Sequence, residues 1–146
     1  EVRFVIAGEG RDRQMLEEMT RQHGVAEHFT FLGQVEDVEG LLSAADFVAI
    51  PSRFEGLPLV ALEALSIGVP GIAGAVDGIV DVWPAEWLVA PDDPAALSRS
   101  LTALIEAESG ERSKLLESGR KMMKGNVAEK AYEDVAVSIR QAAGNG

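Results

Sequence analysis

The chain has 146 residues, of which 47% are hydrophobic and 25% charged, and its formal net charge is -11. This length and composition suit one ordinary globular domain. The acidic balance, without any basic run, argues against binding to nucleic acid or anionic lipid, because both need clustered positive charge. The absence of cysteine excludes disulfides and thiolate metal sites, and no apolar run approaches the length of a membrane span. We therefore expect a cytoplasmic domain.

Short apolar runs alternate along the chain with longer amphipathic segments, the pattern of βαβ units around a parallel sheet. The predicted strands, in chain order, are Val2–Ala7, Phe29–Leu32, Asp46–Ile50, Pro70–Ala73 and Trp87–Val89. The predicted helices are Arg11–His23, Asp37–Ala44, Pro58–Ile67 and a segment that starts at Pro94 and ends near Ala107. Glycine or proline follows several of these elements and would end them. The pattern predicts a single α/β domain over residues 1–146, a three-layer sandwich with a mainly parallel sheet.

The rest of the chain, to about residue 142, is predicted to be helical. Asn126 and Glu129 have the spacing of a helix-capping pair. Beyond them, the side chains that share one helical face are Ala128, Tyr132, Val135 and Ile139. Such an apolar face predicts a helix that packs against another element.

The most informative segment is the loop Pro51–Gly56, which joins a predicted strand to the helix predicted from Pro58. In open parallel sheets, ligands bind outside the carboxyl ends of the strands, where this loop would lie. The first amides of a helix are unpaired donors, and the helix dipole adds partial positive charge, so the segment favours a phosphate group. Gly56 would allow the backbone to approach a ligand closely.

Two carboxylates flank this turn: Glu55 in the loop and Glu63 about two helical turns further on. A carboxylate can accept hydrogen bonds from paired sugar hydroxyls, so one acid could hold a ribose and the other a transferred sugar. The residue spacing alone supports a second interpretation equally well. In that interpretation Glu55 is an acid favoured near a helix start, and Glu63 is a solvated helix residue.

The stretch from Pro51 to Ala64, with two glutamates eight positions apart, resembles the Glu-x7-Glu signature of the family-four retaining glycosyltransferases. Other segments match that family in the same order along the chain: Phe4–Gly10, Phe31–Gly33, Ala45–Ser52, Gly68–Pro70 and Val89–Pro94. The resemblance spans nearly the whole chain. It implies the Rossmann-like, nucleotide-sugar-binding half of a GT-B fold.

By this resemblance, Glu55 would contact the donor sugar and support charge developing at its anomeric carbon, and Glu63 would bind the nucleotide ribose. The family uses a nucleoside diphosphate as leaving group, retains the anomeric configuration and needs no bound metal or other cofactor. The donor implied here is a UDP- or GDP-sugar. Holding the leaving group on fixed dipoles is electrostatic preorganisation.

The same resemblance implies contacts made through the backbone. Amides around Gly56, Leu57 and Leu59 would hold the diphosphate, and the backbone near Gln34 and Val35 would meet the base.

Several family features are absent from this chain. A GT-B enzyme has an N-terminal acceptor domain, through which any membrane contact would be made, and none precedes Glu1 here. The first strand of the donor half, which carries a basic clamp for the diphosphate, is also missing. Either the strands at Val2 and Asp46 pair directly, or another segment fills the gap. The family's Gly-Gly-x-x-Glu turn appears as Asp77–Asp81, and Gly71 replaces a usual valine.

Two functional interpretations follow: a glycosyltransferase that acts together with the acceptor domain, or a non-catalytic nucleotide-sugar-binding or assembly module.

Three further patterns in the sequence bear on function. The turn Gly8–Gly10 begins like a dinucleotide fingerprint, but Arg13 occupies its third glycine position. Ser52 lacks the surroundings of a nucleophile and is predicted to be a turn or helix-cap hydroxyl. Trp83 and Trp87 could form a sugar platform, although a place in the core is favoured.

Overall fold

The computed structural model describes residues 2–56 and 58–125. The predicted capping pair Asn126 and Glu129 and the apolar face that follows it lie outside the described residues. The chain forms two compact units, Glu1–Val38 and Glu39–Gly146.

The described residues form five β-strands and five α-helices, with two short 3-10 helices. The strands are β1 Phe4–Ala7, β2 Phe29–Gly33, β3 Val48–Ile50, β4 Gly71–Gly74 and β5 Leu88–Val89. The α-helices are α1 Arg13–Gln22, α2 Val38–Ser43, α3 Leu59–Ile67, α4 Pro94–Glu106 and α5 Ser109–Gly125. The 3-10 helices are Ala26–His28 and Ala85–Trp87.

Every strand and helix predicted in this part of the chain is present, and the boundaries differ by one or two residues. The third strand begins at Val48 rather than Asp46, because its partner begins at Gly71 and Pro70 has no N–H for a ladder bond. The carbonyl of Pro70 instead accepts a bond of 2.9 Å from the Val48 amide.

The strands pair in two sheets, β1–β2 and β3–β4–β5, and every pairing is parallel. This confirms the predicted parallel α/β fold.

In the first unit, stacked aromatic rings join the two strands. Phe4 lies on Phe29 with ring centroids 4.9 Å apart, and Phe29 lies 6.5 Å from Phe31. Exposure alternates along β1, and Val5 is 49% exposed. This alternation is the pattern of a strand that is covered on one face only.

In the second unit, α3 and β4 form the centre of the core. All four residues of β4 are buried, as are Ala61, Leu62, Ala64 and Leu65 of α3. A helix this apolar on all sides is typical of a protein interior. Gly68 ends the helix, as the sequence predicted, and adopts the left-handed conformation.

The two tryptophans belong to this core, which confirms the interpretation favoured from the sequence. Each is 1% exposed, and their rings meet edge to face with centroids 5.3 Å apart. Trp83 also donates its indole N–H to the carbonyl of Ala61 over 2.9 Å. The Trp83 ring lies so close to Gly71 that a Cβ there would overlap it. The glycine in place of valine is therefore explained by the space that this ring occupies.

The last described helices close the second unit. Asp93 caps α4 by accepting a bond of 2.8 Å from the Ala96 amide, and Pro94 is its first residue, as predicted. At Gly119 of α5, an added Cβ would lie 2.8 Å from the Trp87 ring, so this helix packs closely on the core. Among the described residues, no helix is long and apolar enough to cross a membrane.

Candidate nucleotide-sugar site

The strand–loop–helix segment predicted to carry chemistry has the expected form. β3 ends at Ile50, a loop without regular structure follows, and α3 begins at Leu59. Pro58, which was predicted to lie in the first helical turn, is the N-cap residue and provides no side-chain cap. The first amides of this nine-residue helix are therefore left for another acceptor. Leu57 lies outside the described residues.

Glu55 lies in this loop with its side chain partly exposed. Its Oε1 accepts a hydrogen bond of 2.6 Å from the hydroxyl of Ser52. This length lies at the short end of the range for a hydrogen bond between an O–H donor and an oxygen acceptor. Ser52 was predicted to be a turn or helix-cap hydroxyl, and the structure shows that its partner is the carboxylate of Glu55.

Glu63 is the only charged residue of α3 and lies between the buried side chains of Leu62 and Ala64. Burial, and secondly the nearby carboxylate of Glu39, raise the pKa of Glu63 above its ordinary value. In the described part of the chain, no basic side chain or hydrogen-bond donor is paired with this carboxylate. Glu63 therefore lies half-buried, and the described residues supply no hydrogen-bond donor to it.

The turn Asp77–Asp81 packs directly against the loop of Glu55. A Cβ added at Gly78 would lie 2.5 Å from the carbonyl oxygen of Gly56 and 3.1 Å from that of Glu55. Gly78 also has a φ of +86°, which disfavours any other residue. This glycine, shared with the family's turn, therefore permits the close approach of the two segments.

An open cleft of about 220 Å³ lies at the carboxyl ends of the second sheet. Its lining includes Pro51 and Ser52 after β3, Gly74 at the end of β4, and Val89 at the end of β5. Ligands of parallel sheets bind at this edge, but sites for small organic ligands usually measure about 300–1,000 Å³. Since Glu55 and Glu63 are not part of its lining, the cleft alone does not constitute a donor site.

The residues predicted from the resemblance fall in both compact units. Glu55, Gly56, Leu59 and Glu63 belong to one loop and helix of the second unit. Gln34 and Val35 follow β2 in the first unit, where Gln34 is exposed. In the described residues, no group of three or more His, Asp or Glu side chains could hold a metal ion.

Two contacts near the loop were not found by sequence reasoning. The first is the Ser52–Glu55 hydrogen bond, which could have been predicted because a serine three residues before a glutamate in a loop can reach its side chain. The second joins Arg53 to Asp92 over 2.5 Å and connects residues 39 positions apart, for which the sequence offers no local signal.

Parallel strands followed by a helix whose first residue carries no side-chain cap are the arrangement of a Rossmann-like domain. The family model described as glycosyl transferases group 1 matches residues 1–107. The chain therefore belongs to the group 1 glycosyltransferase family.

A curated relative of known activity supports this assignment. The chain is 37% identical over 121 residues to the D-inositol 3-phosphate glycosyltransferase of Salinispora arenicola, and the match covers 79% of this chain and 27% of that protein. The chain thus spans about a quarter of the length of this relative.

Solved structures show the same fold. Alr3699/HepE of Anabaena in complex with UDP superposes with a TM-score of 0.76 at 19% identity, covering 96% of this chain and 41% of that one. The C-terminal domain of the group 1 glycosyl transferase LpcC from Francisella tularensis gives a TM-score of 0.69 at 26% identity, covering 80% and 64%. These likenesses agree with the GT-B half that the sequence resemblance implied.

Proposed function

We propose that this chain is the donor-binding domain of a retaining glycosyltransferase that transfers a sugar from a nucleoside diphosphate to an acceptor. The observation that carries the proposal is the uncapped start of α3 with one carboxylate on each side, Glu55 before it and Glu63 within it. A diphosphate needs concentrated N–H donors, and the sugars on its two sides need acceptors for their hydroxyl groups.

The roles of the two acids differ because their surroundings differ. Glu63 lies on a helix that is otherwise apolar, and its charge is disfavoured by burial and by Glu39. Two ribose hydroxyls would provide the donors that no described residue supplies, so we assign Glu63 to the ribose. Glu55 is in the loop before the helix, and we assign it to the transferred sugar, where a carboxylate stabilises positive charge developing at the anomeric carbon.

The diphosphate would be bound by the backbone of Gly56, Leu57 and Leu59, without a metal ion. The helix dipole and the free amides favour the charge that leaves with the nucleotide, which lowers the barrier to breaking the sugar–phosphate bond. The base would meet the backbone at Gln34 and Val35. A UDP-sugar is the first donor to test, since Alr3699/HepE has been solved with UDP and with UDP-glucose.

The chain covers only part of the length of its relatives, so we place acceptor binding in a separate N-terminal domain of the complete polypeptide. In this proposal the chain binds the donor, and the N-terminal domain brings the acceptor to the anomeric carbon. Acceptor identity and any membrane contact would then be properties of the other domain.

The test is substitution of Glu55 by Gln in the complete polypeptide, assayed for sugar release and transfer from UDP-glucose and for binding of UDP. Loss of the carboxylate charge should lower kcat at least about 100-fold. The dissociation constant for UDP should stay within about twofold, because Glu55 does not contact the nucleotide in this scheme.

Glu117→Gln, which removes an exposed carboxylate of α5 paired with Lys121, is the matched control and should change neither quantity. An unchanged kcat in Glu55→Gln would remove this residue from the mechanism. Nucleotide-sugar binding by the wild type without any turnover would instead favour a non-catalytic binding module.

A further inference from the structure

The carboxylate of Glu55 is oriented by one neighbour. Ser52 donates its hydroxyl to Oε1 over 2.6 Å, and no described residue is recorded as bonded to Oε2. A hydrogen bond of this kind restricts the side-chain torsions of Glu55, while the second carboxylate oxygen stays available to a ligand. A glutamate in a loop would otherwise sample several rotamers.

Ser52 is itself held in place by the end of the second sheet. It follows β3 by two residues, and its carbonyl oxygen would lie 2.9 Å from a Cβ at Gly74, the last residue of β4. On its other side, Arg53 is joined to Asp92, which precedes α4. The Arg53–Asp92 pair is largely exposed, so it is the close packing of the Ser52 carbonyl on Gly74 that limits movement of the backbone carrying this hydroxyl.

A purely local role for this hydroxyl does not fit the contacts. The N-cap residue of α3 is Pro58, and the helix receives no side-chain cap, so Ser52 does not cap it. Its recorded hydrogen bond is to a side chain and not to a backbone group of the turn. The contact therefore determines the direction of one carboxylate rather than the path of the chain.

We propose that Ser52 is a positioning residue for Glu55, which directs the free carboxylate oxygen of Glu55 toward the transferred sugar. The inference rests on the proposed function, because it gives Ser52 a role in turnover through Glu55. Ser52 does not touch the donor in this scheme. Its loss should therefore reduce kcat and leave donor binding nearly unchanged.

The kinetic test compares Ser52→Ala, Ser52→Thr and Ser118→Ala in the complete polypeptide with UDP-glucose as donor. Ser52→Ala should lower kcat about tenfold with KM within about twofold, the effect expected when a hydrogen bond to a charged group is lost. Ser52→Thr keeps the hydroxyl and should retain at least about half of the wild-type kcat. Ser118 donates its hydroxyl to the Leu115 carbonyl in α5, so Ser118→Ala removes a hydroxyl of similar burial and should change neither parameter.

Three kinetic results would overturn the proposal. They are a kcat for Ser52→Ala equal to that of Ser118→Ala, an effect of Ser52→Ala confined to KM, and a Ser52→Thr variant as impaired as Ser52→Ala.

A second measurement detects the Ser52–Glu55 hydrogen bond directly and does not depend on enzymatic activity. In the chain labelled with 13C at glutamate carboxyl carbons, the Glu55 resonance is assigned as the one lost in Glu55→Gln. Ser52→Ala should shift that resonance, and Ser118→Ala should not, because only the first removes its hydrogen-bond donor.

An unshifted resonance would show that the bond is not formed and would overturn the positioning role. A shifted resonance in a protein that turns over no nucleotide sugar would support the positioning of Glu55 and refute the proposed function instead.

Discussion

Replacing Gly78 by alanine tests how the Asp77–Asp81 turn supports the loop of Glu55. Two costs apply at this position. The backbone has a φ of +86°, a conformation that costs an L-residue about 1–2 kcal/mol. The new Cβ would also lie 2.5 Å from the Gly56 carbonyl oxygen, and because that atom belongs to the backbone, relieving the overlap costs about a further 1–3 kcal/mol. The free energy of unfolding should therefore fall by about 2–5 kcal/mol.

Gly68 offers a matched control. It has a similar φ of +78° at the end of α3, and a Cβ there would meet no heavy atom within 4 Å. Gly68→Ala should therefore show the conformational cost alone, about 1–2 kcal/mol. Urea unfolding of the two variants separates the contact from the backbone strain. Equal destabilisation of the two would refute the close packing of the turn on the loop.

The same pair of variants has a functional consequence. In the complete polypeptide, Gly78→Ala should also lower kcat, because the overlap pushes the turn and the backbone of Glu55 and Gly56 apart. Gly68→Ala should leave kcat nearly unchanged, since its added methyl group points into open space.

Three further predictions follow from single contacts. Gly71→Val should lower the free energy of unfolding, measured by urea titration, by about 1–3 kcal/mol, because the valine side chain would overlap the Trp83 ring. A variant as stable as the wild type would disprove that packing. Glu63→Gln should stabilise the free chain at pH 7, because burial and Glu39 raise the pKa of Glu63 and ionisation therefore opposes folding. This gain in stability should disappear as the pH falls below about 4, where the carboxyl group is protonated in both the folded and the unfolded state. A gain that persists there would contradict ionisation of Glu63 as its cause. Asp93→Ala should lower the free energy of unfolding by about 1 kcal/mol in the same titration, because the cap of α4 is lost. An unchanged unfolding midpoint would show that the cap does not stabilise the protein.

Much of the fold could be predicted because its elements have local signals. The start and end of α3 are marked by Pro58 and Gly68, and the start of α4 by Asp93 and Pro94. Boundaries set by a partner strand had no such signal. The first paired residue of β3 depends on where β4 begins, and the exposure of β1 depends on what covers each of its faces.

The candidate site could be predicted in part. The motif located Glu55 and Glu63, and the strand–loop–helix order predicted the open helix start between them. The hydrogen-bond partners and the surroundings of each carboxylate could not be inferred from the residue spacing. The Ser52 bond, the proximity of Glu39 and the packing of Gly78 on the loop all depend on side chains and backbone brought together by tertiary structure.

The central claim is that this chain binds the nucleotide part of a sugar donor at the start of α3. The most direct test is calorimetric titration of the chain with UDP and with GDP, comparing the wild type with Glu63→Gln and with the control Glu117→Gln. The account predicts saturable binding of one of the two nucleotides, weakened about 10–100-fold in Glu63→Gln by loss of hydrogen bonds to a charged group, and unchanged in the control. Equal affinities of the wild type and Glu63→Gln would contradict the assignment of Glu63 to the ribose and with it this location of the donor.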